Sequence, residues 1–307
     1  MTGGGERLAL GSAQWGMPYG IANTLGAPDD AELNGLLVTA MGAGVRTIDT
    51  ARAYGASEER IGRALNELRA GPPLRVVTKL APDVYEDGLG SQEAAERVAQ
   101  SLAESRAALG QDVLPVVLLH RFEHKAACGG ELWRTLLVER DAGRIGSLGV
   151  SAATPEEACA ALDDSDVAVM QVASSLLDLR LYRQDFFAKA AALGREIHVR
   201  SLFLQGVAHL PSDSVPGFLD GLSASLETIR SVAADAGVST RALYLAFARD
   251  CLPATTPVLG CESAWQLSEL LTDWVETPVD AARLGALLEA LPTHEPELVD
   301  PSRWPST

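Results

Sequence analysis

Cations are scarce in this chain: 25 Lys and Arg stand against 41 Asp and Glu over 307 residues, a formal net charge of −16. Nucleic acid and anionic membrane surfaces are held by clustered Lys and Arg, and no such cluster occurs, so neither is an expected partner. Cysteine is rare as well. The four thiols, Cys128, Cys159, Cys251 and Cys261, are far apart and form no CxxC pair, which argues against a disulfide framework and for reduced thiols in core or loops. No apolar run reaches the ~20 residues of a membrane helix, and the start MTGGGERLAL lacks the basic and apolar regions of a signal peptide. The expectation is a soluble, cytoplasmic protein that meets a small molecule or another protein. Linkers are missing too: no Pro, Gly or Ser-rich stretch divides the chain, and nothing of low complexity appears beyond the initial GGG. With 47% hydrophobic residues, residues 1–307 can be expected to form one domain around a sizeable core.

What is present is a regular alternation. Short runs rich in Val, Ile and Leu at 7–12, 46–50, 75–80, 113–120, 147–151, 167–173, 196–203 and 255–261 read as strands. Amphipathic, Ala-rich stretches at 29–42, 57–69, 91–109, 129–142, 155–162, 184–193, 239–250 and 263–272 read as helices. Boundary signals agree, such as Thr154 before Pro155, and Gly110 closing a long helix. Two further helices, 219–236 and 280–290, are additions in the late loops and C-terminus. Eight βα units predict a (βα)8 TIM barrel, with a doubly wound open sheet as competitor. The barrel is favoured because LGSAQWG, after the first strand, does not supply the GxGxxG of a dinucleotide-binding open sheet.

In a barrel the chemistry sits where strands end, which selects Asp49, Lys79, His120, Ser151, Gln171, Ser201 and Gly260. Asp49 and Lys79 end neighbouring strands. A carboxylate at the mouth of a buried strand is costly without an ionic partner, and Lys79 supplies one. Tyr54 follows in the loop after Asp49, so four titratable groups converge on one mouth. Each alone is more often structural than catalytic. A phenol, with a reference pKa near ~10, is a poor proton donor at neutral pH, but a lysine at ~4 Å and an effective dielectric of ~20 would stabilise the phenolate by about 4 kcal/mol, roughly three pKa units before desolvation subtracts. Asp49 would hold Lys79 charged and aimed, and His120 would orient the oxygen that receives the proton.

With these residues in place the sequence resembles the aldo-keto reductase family, whose pattern of Asp, Tyr five residues on, strand-end Lys and strand-end His reappears as DTARAYG, VVTKL and VVLLH. The flanking text GASEERIGRAL and GRIGSLGVS agrees, and the likeness runs from LGSAQWG to PVLGCES. The resemblance implies a (βα)8 barrel that binds NADPH or NADH without a Rossmann fold, needs no metal, and reduces an aldehyde or ketone with Tyr54 as general acid. Carried over by position, Gly11 and Ser12 would border the cofactor, and Ser151 and Gln171 would hold the nicotinamide carboxamide. The loop SLFLQG, with Ser201, Phe203, Gln205 and Gly206, would follow the pyrophosphate. The segment GCESAWQLSEL, with Gly260, Cys261, Glu262, Gln266 and Glu269, would hold the adenosine end.

The chain departs from the family pattern in four places. Ala152 stands where many members have Asn, and Arg200 replaces the aromatic residue that commonly stacks on the nicotinamide. Where NADPH-preferring relatives carry Lys or Arg, the matching positions read Gly260, Cys261 and Gln266; Glu262 lies close by, and its carboxylate favours a ribose hydroxyl over a 2′-phosphate, against the family habit of using NADPH, so both cofactors stay open. Only six residues precede the first strand, so the hairpin that plugs many of these barrels is expected to be absent. For the substrate, Trp15, Met17, Tyr19, Tyr85, Phe122 and Trp304 are candidate apolar walls, shaped by 207–218 and the tail after 290, around a carbonyl from a sugar or a specialised metabolite.

Rival readings remain. A barrel that binds the cofactor as a sensing subunit with little turnover is one. A metal-dependent hydrolase using His120 and His124 of HRFEH is another, although that segment is not HExxH. A glycosidase would need a second strand-end carboxylate facing Asp49, and none is found.

Overall fold

The computed structural model describes residues 4–68 and 74–305. Eight parallel strands follow one another around a closed ring: β1 (Ala9–Gly11), β2 (Thr47–Asp49), β3 (Arg75–Lys79), β4 (Leu114–Leu119), β5 (Ile145–Ser151), β6 (Val169–Ala173), β7 (Glu196–Arg200) and β8 (Thr255–Gly260), with β8 paired back to β1. Six helices alternate with the first strands: α1 (Asp30–Gly42), α2 (Ser57–Glu67), α3 (Ser91–Leu109), α4 (Ala127–Asp141), α5 (Pro155–Leu162) and α6 (Phe186–Ala192). Two follow β7, α7 (Ser223–Ala236) and α8 (Thr240–Ala246), and two follow β8, α9 (Ala264–Glu276) and α10 (Ala281–Ala290). The expected (βα)8 barrel with additional late helices is the fold.

Local signals account for most boundaries. Asp29 and Thr154 accept the backbone N–H of Glu32 and Glu157, capping α1 and α5, and Gly110 closes α3 in the left-handed region at φ 64°. In α1, Leu33, Leu36, Leu37 and Ala40 recur at helical spacing and are all buried against the barrel, each leucine worth roughly 1.5–3 kcal/mol. Three segments differ from expectation. The seventh strand stops at Arg200 rather than 203, because Ser201 turns left-handed at φ 61°. The fourth helix begins at Ala127 and passes through left-handed Cys128, Gly129 and Gly130 before becoming regular. The helix expected over 239–250 is α8 followed by a π-turn at Phe247–Cys251. Residue 69, the expected end of the second helix, lies outside the described residues.

Strand periodicity places the site. Val77, Val116, Leu118 and Val169 pack together as a separate buried cluster inside the ring. Because side chains alternate along a strand, Lys79, His120 and Gln171 lie on the same inward face, two residues nearer the mouth. The same count, taken downward on β3 and along β7, puts Arg75 and Glu196 inward at the opposite end, where they form a two-bond ion pair across the barrel floor (2.5 and 3.0 Å). Buried His198 adds a 2.7 Å hydrogen bond to Glu196. A 3-10 turn, Gly5–Arg7, precedes β1, and Arg7 donates to the carbonyls of Arg249 and Leu252. The floor is thus crossed by charge, with no hairpin ahead of β1 among the described residues.

Candidate active site

Asp49 and Lys79 sit at the mouth, 4% and 1% exposed. Lys79 Nζ donates to both Asp49 oxygens at 2.8 Å and to the Thr50 carbonyl at 2.9 Å, so all three ammonium protons have acceptors. Gln171 Nε2 donates to Asp49 Oδ1 at 2.7 Å. Burial lowers the Lys79 pKa, but Asp49 and then Tyr54 raise it, and the net direction is up. The ammonium therefore stays charged, lying 4.9 Å from the centre of the Tyr54 ring.

Tyr54 is positioned by its loop. Its N–H donates to the Ala51 carbonyl, its own carbonyl accepts from Ser57, and the Arg52 N–H donates to the Lys79 carbonyl, tying the loop to β3. Gly55, at φ 57°, makes the turn possible, since a Cβ there would stand 2.2 Å from the Gly16 carbonyl oxygen. Behind the loop, Ser57 Oγ donates to Ser12 Oγ (2.7 Å), and buried Glu58 accepts from Thr78 and Arg52. The His120 ring meets Tyr54 edge-on, centroids 5.9 Å apart at 89°. Burial, then Lys79 and Arg200, push His120 down to about 3, so it is a neutral imidazole at physiological pH. A neutral imidazole can donate to or accept from an oxygen beside Tyr54 without adding charge.

From this point a cavity of about 390 Å³ runs outward. Asp49, Tyr54, Gln171, Tyr19 and Arg200 line it, as do Gly11, Ser12 and the loop residues Ser201, Phe203, Gln205 and Gly206. Ser201, Leu204, Gln205 and Gly206 have φ of 61°, 47°, 53° and 89°. Left-handed non-glycine residues cost on the order of 1 kcal/mol each and collect where a ligand needs the backbone. The N–H groups of Leu204 and Gly206 turn back onto the Ser201 and Phe203 carbonyls at 2.9 Å each, which fixes the loop along the cavity wall. Gly260, Glu262 and Gln266 line the cavity further along. There Gln266 Oε1 accepts from the Glu262 N–H (2.8 Å), Ser263 caps α9, and Glu32 accepts from the Ala264 N–H. The cavity, reaching from Tyr54 to Gln266, fits an elongated ligand such as a nicotinamide dinucleotide.

Other expected residues stand elsewhere. Ser151 is buried in register with Gln171 on neighbouring strands. Cys261 is buried, its thiol pushed up by burial, and its carbonyl accepts from Trp15 Nε1 at 3.0 Å. Trp15 is therefore a core residue, fully buried, rather than a cavity wall. Tyr85 donates to Asp87 and faces His124, Phe122 lies on a 3-10 turn, and Trp304 packs on Phe218; none of the three lines the cavity. Met17 is exposed outside it, whereas Tyr19 lines it. Loss of water pushes Tyr19 up, with Tyr54 and Asp49 adding, against Arg200 and Lys79. His124 faces Tyr85, and among the described residues no group of three or more His, Cys, Asp or Glu is placed to hold a metal ion.

Sequence reasoning missed Gln14, His209 and Arg241, all of which line the cavity. Arg241 bridges Glu269 (3.0 Å) and Asp273 (2.6 Å). Its signal was legible: it stands in the first turn of its helix, where the macrodipole disfavours a cation, so an acidic partner from another element was implied. His209 is pushed down to about 4 by burial and Arg241.

The family model of the aldo/keto reductase family matches residues 7–290. An aldo-keto reductase of Mycolicibacterium vanbaalenii is 35% identical over 130 residues, covering 41% of this chain and 43% of that protein. One of Mycobacterium avium is 31% identical over 140 residues, 45% of each. These alignments span less than half the length of the curated relatives. Among solved structures, an aldo-keto reductase from Bacillus halodurans in its holo form superposes with a TM-score of 0.73 at 17% identity, over 97% of this chain and 95% of that one. A glycerol dehydrogenase from Gluconobacter oxydans gives 0.71 at 23%, over 96% and 94%. At such identities the likeness speaks for the barrel. Among the described residues no helix is long and apolar enough to cross a membrane.

Proposed function

The chain belongs to the aldo/keto reductase family, and from that premise we propose that it reduces an aldehyde or ketone to an alcohol with a nicotinamide cofactor, Tyr54 giving the proton. The observation that carries this reading is the buried Asp49–Lys79 pair set against the Tyr54 ring at the mouth of a cavity with a left-handed backbone run along one wall. The bound cofactor would supply hydride to the carbonyl carbon. The protein's part is to hold the carbonyl oxygen between the Tyr54 hydroxyl and neutral His120. Lys79 stabilises the phenolate left after the proton moves, and Asp49 keeps that ammonium aimed. Ser151 and Gln171 are assigned to the carboxamide, and the loop 201–206 to the pyrophosphate.

At the adenosine end we assign a preference for NADH. Glu262 borders the cavity there, and Arg241 is already matched by Glu269 and Asp273, so a 2′-phosphate would meet a carboxylate and an occupied guanidinium. His209, neutral at pH 7, adds no positive charge. An oxygen-rich, sugar-derived aldehyde or ketone is the substrate class that the phenol of Tyr19, beside Tyr54 and Arg200, supports. The test is a titration of the purified protein with NADH and with NADPH, followed by tryptophan quenching and then by carbonyl-dependent oxidation of the bound dinucleotide. Saturable binding and turnover, tighter with NADH, are expected; absence of binding by either would overturn the reading.

A further inference from the structure

We infer that Arg200 sets which form of the cofactor the site prefers: its guanidinium is an uncompensated positive charge at the catalytic end of the cavity, and it makes the site hold reduced nicotinamide more tightly than oxidised. The inference rests on the cofactor reading above and goes beyond it. Arg200 ends β7 and shares the cavity wall with Tyr54 and Gln171. Its hydrogen bonds go to neutral oxygens, Ser201 Oγ at 3.3 Å and the Ala152 carbonyl at 3.2 Å. Among the described residues no ion pair includes it. Of the two carboxylates that line the cavity, Asp49 is matched by Lys79 at 2.8 Å, and Glu262 does not reach Arg200. The charge is felt at the reacting centre. After burial and Lys79, Arg200 is the next influence that lowers His120, and it lowers Tyr19 against the effect of burial.

Carbonyl reduction creates positive charge in this place. A bound reduced nicotinamide would give the hydride: its C4–H electron pair would form the new C–H bond at the carbonyl carbon, the oxygen would take the Tyr54 proton, and the cofactor would leave as a pyridinium cation. A nearby guanidinium raises the free energy of that cation and leaves the neutral ring almost unaffected. Two forms of one ligand can be told apart only by such a differential interaction. The bound couple is correspondingly more oxidising, by about 30 mV for each tenfold in the affinity ratio, so hydride transfer to the carbonyl is less downhill on the enzyme than in water, while the oxidised cofactor leaves readily and the reduced one replaces it.

The experiment is isothermal titration of the wild type, Arg200→Met and Arg200→Lys with each form of the couple that the protein binds, NADH and NAD+ or NADPH and NADP+. The wild type should hold the reduced form at least about tenfold more tightly. Arg200→Met should cut that ratio about tenfold, chiefly by tightening the oxidised form, and Arg200→Lys should keep most of it. If the methionine variant does not fold, Arg200→Gln removes the same charge. An equal loss of affinity for both forms would mean that Arg200 serves the pyrophosphate, which is charged alike in both, and would overturn the inference, as would a ratio unchanged in the variants. If the wild type binds neither form, the reductase reading itself falls and takes this inference with it.

Discussion

Replacing Lys79 by Met should be far more damaging than its size suggests. The ammonium and the Asp49 carboxylate meet at 2.8 Å, where their Coulomb attraction at an effective dielectric of ~20 is about 6 kcal/mol. Most of that is offset by the cost of taking both charges out of water, so the intact pair is worth little net. The variant keeps the cost and loses the attraction: Asp49 remains 4% exposed with no cation, and the expected loss is about 3–5 kcal/mol at neutral pH. Asp49→Asn strands Lys79 in the same way. The double variant Asp49→Asn/Lys79→Met should be more stable than the two losses added together, by about 1–3 kcal/mol. Urea unfolding followed by tryptophan fluorescence gives all four corners of this cycle. The pH dependence checks the cause. Without Lys79, the Asp49 carboxyl has a folded pKa above its unfolded value, so the deficit should be smallest in acid and grow as pH rises through that folded value. In the wild type, Lys79 is the group held high, and its contribution persists through neutrality, lost only in strong alkali. A Lys79→Met protein within 1 kcal/mol of wild type, or a double variant that is merely additive, would refute the reasoning.

Three further predictions follow from other parts of the barrel. Gly55→Ala, at φ 57° with 2.2 Å to the Gly16 carbonyl, should cost about 2 kcal/mol or more and lower kcat by displacing Tyr54, read by denaturation and steady-state rates. On the floor, Arg75 and His198 outweigh burial and hold Glu196 down to about 2; since the pair is partly solvated, Glu196→Gln should cost about 1 kcal/mol at neutral pH. A carboxyl with a depressed pKa contributes above its unfolded value and loses that contribution as pH falls toward its folded one, so wild type and variant should converge between roughly pH 4.5 and 2; parallel curves would remove the ion pair from the account. Glu262→Arg should shift the NADPH/NADH affinity ratio toward NADPH by about tenfold or more in fluorescence titrations, and an unchanged ratio would place the 2′-position elsewhere.

Much of this was written in the chain because strand and helix periods are local. The ends of β2, β3 and β4 could be read from apolar runs, and alternation from Val77 to Lys79 or Leu118 to His120 fixes which side chains enter the mouth. What stayed hidden depends on contacts distant in sequence. Residue type alone points to Trp15, Tyr85, Phe122 and Trp304, and type does not say whether an aromatic in a loop faces the cavity, the core or a neighbouring loop. Arg241 became part of the site through acids 28 and 32 residues away on α9. The left-handed run at 204–206 includes Leu204 and Gln205, residues whose identity gives no warning of that conformation. The Arg75–Glu196 floor joins strands 121 residues apart, and neither residue alone announces it.

The central claim is that Tyr54 gives the proton on a preassembled Asp49–Lys79 base plate. It is tested most directly by measuring, for wild type and Tyr54→Phe, both the affinity for reduced dinucleotide and the carbonyl-dependent rate at which that dinucleotide is oxidised. The account predicts affinities that agree within a few fold and a rate that falls by roughly 10²–10⁴-fold. A phenylalanine variant that binds the dinucleotide and still turns over at a wild-type rate would contradict it.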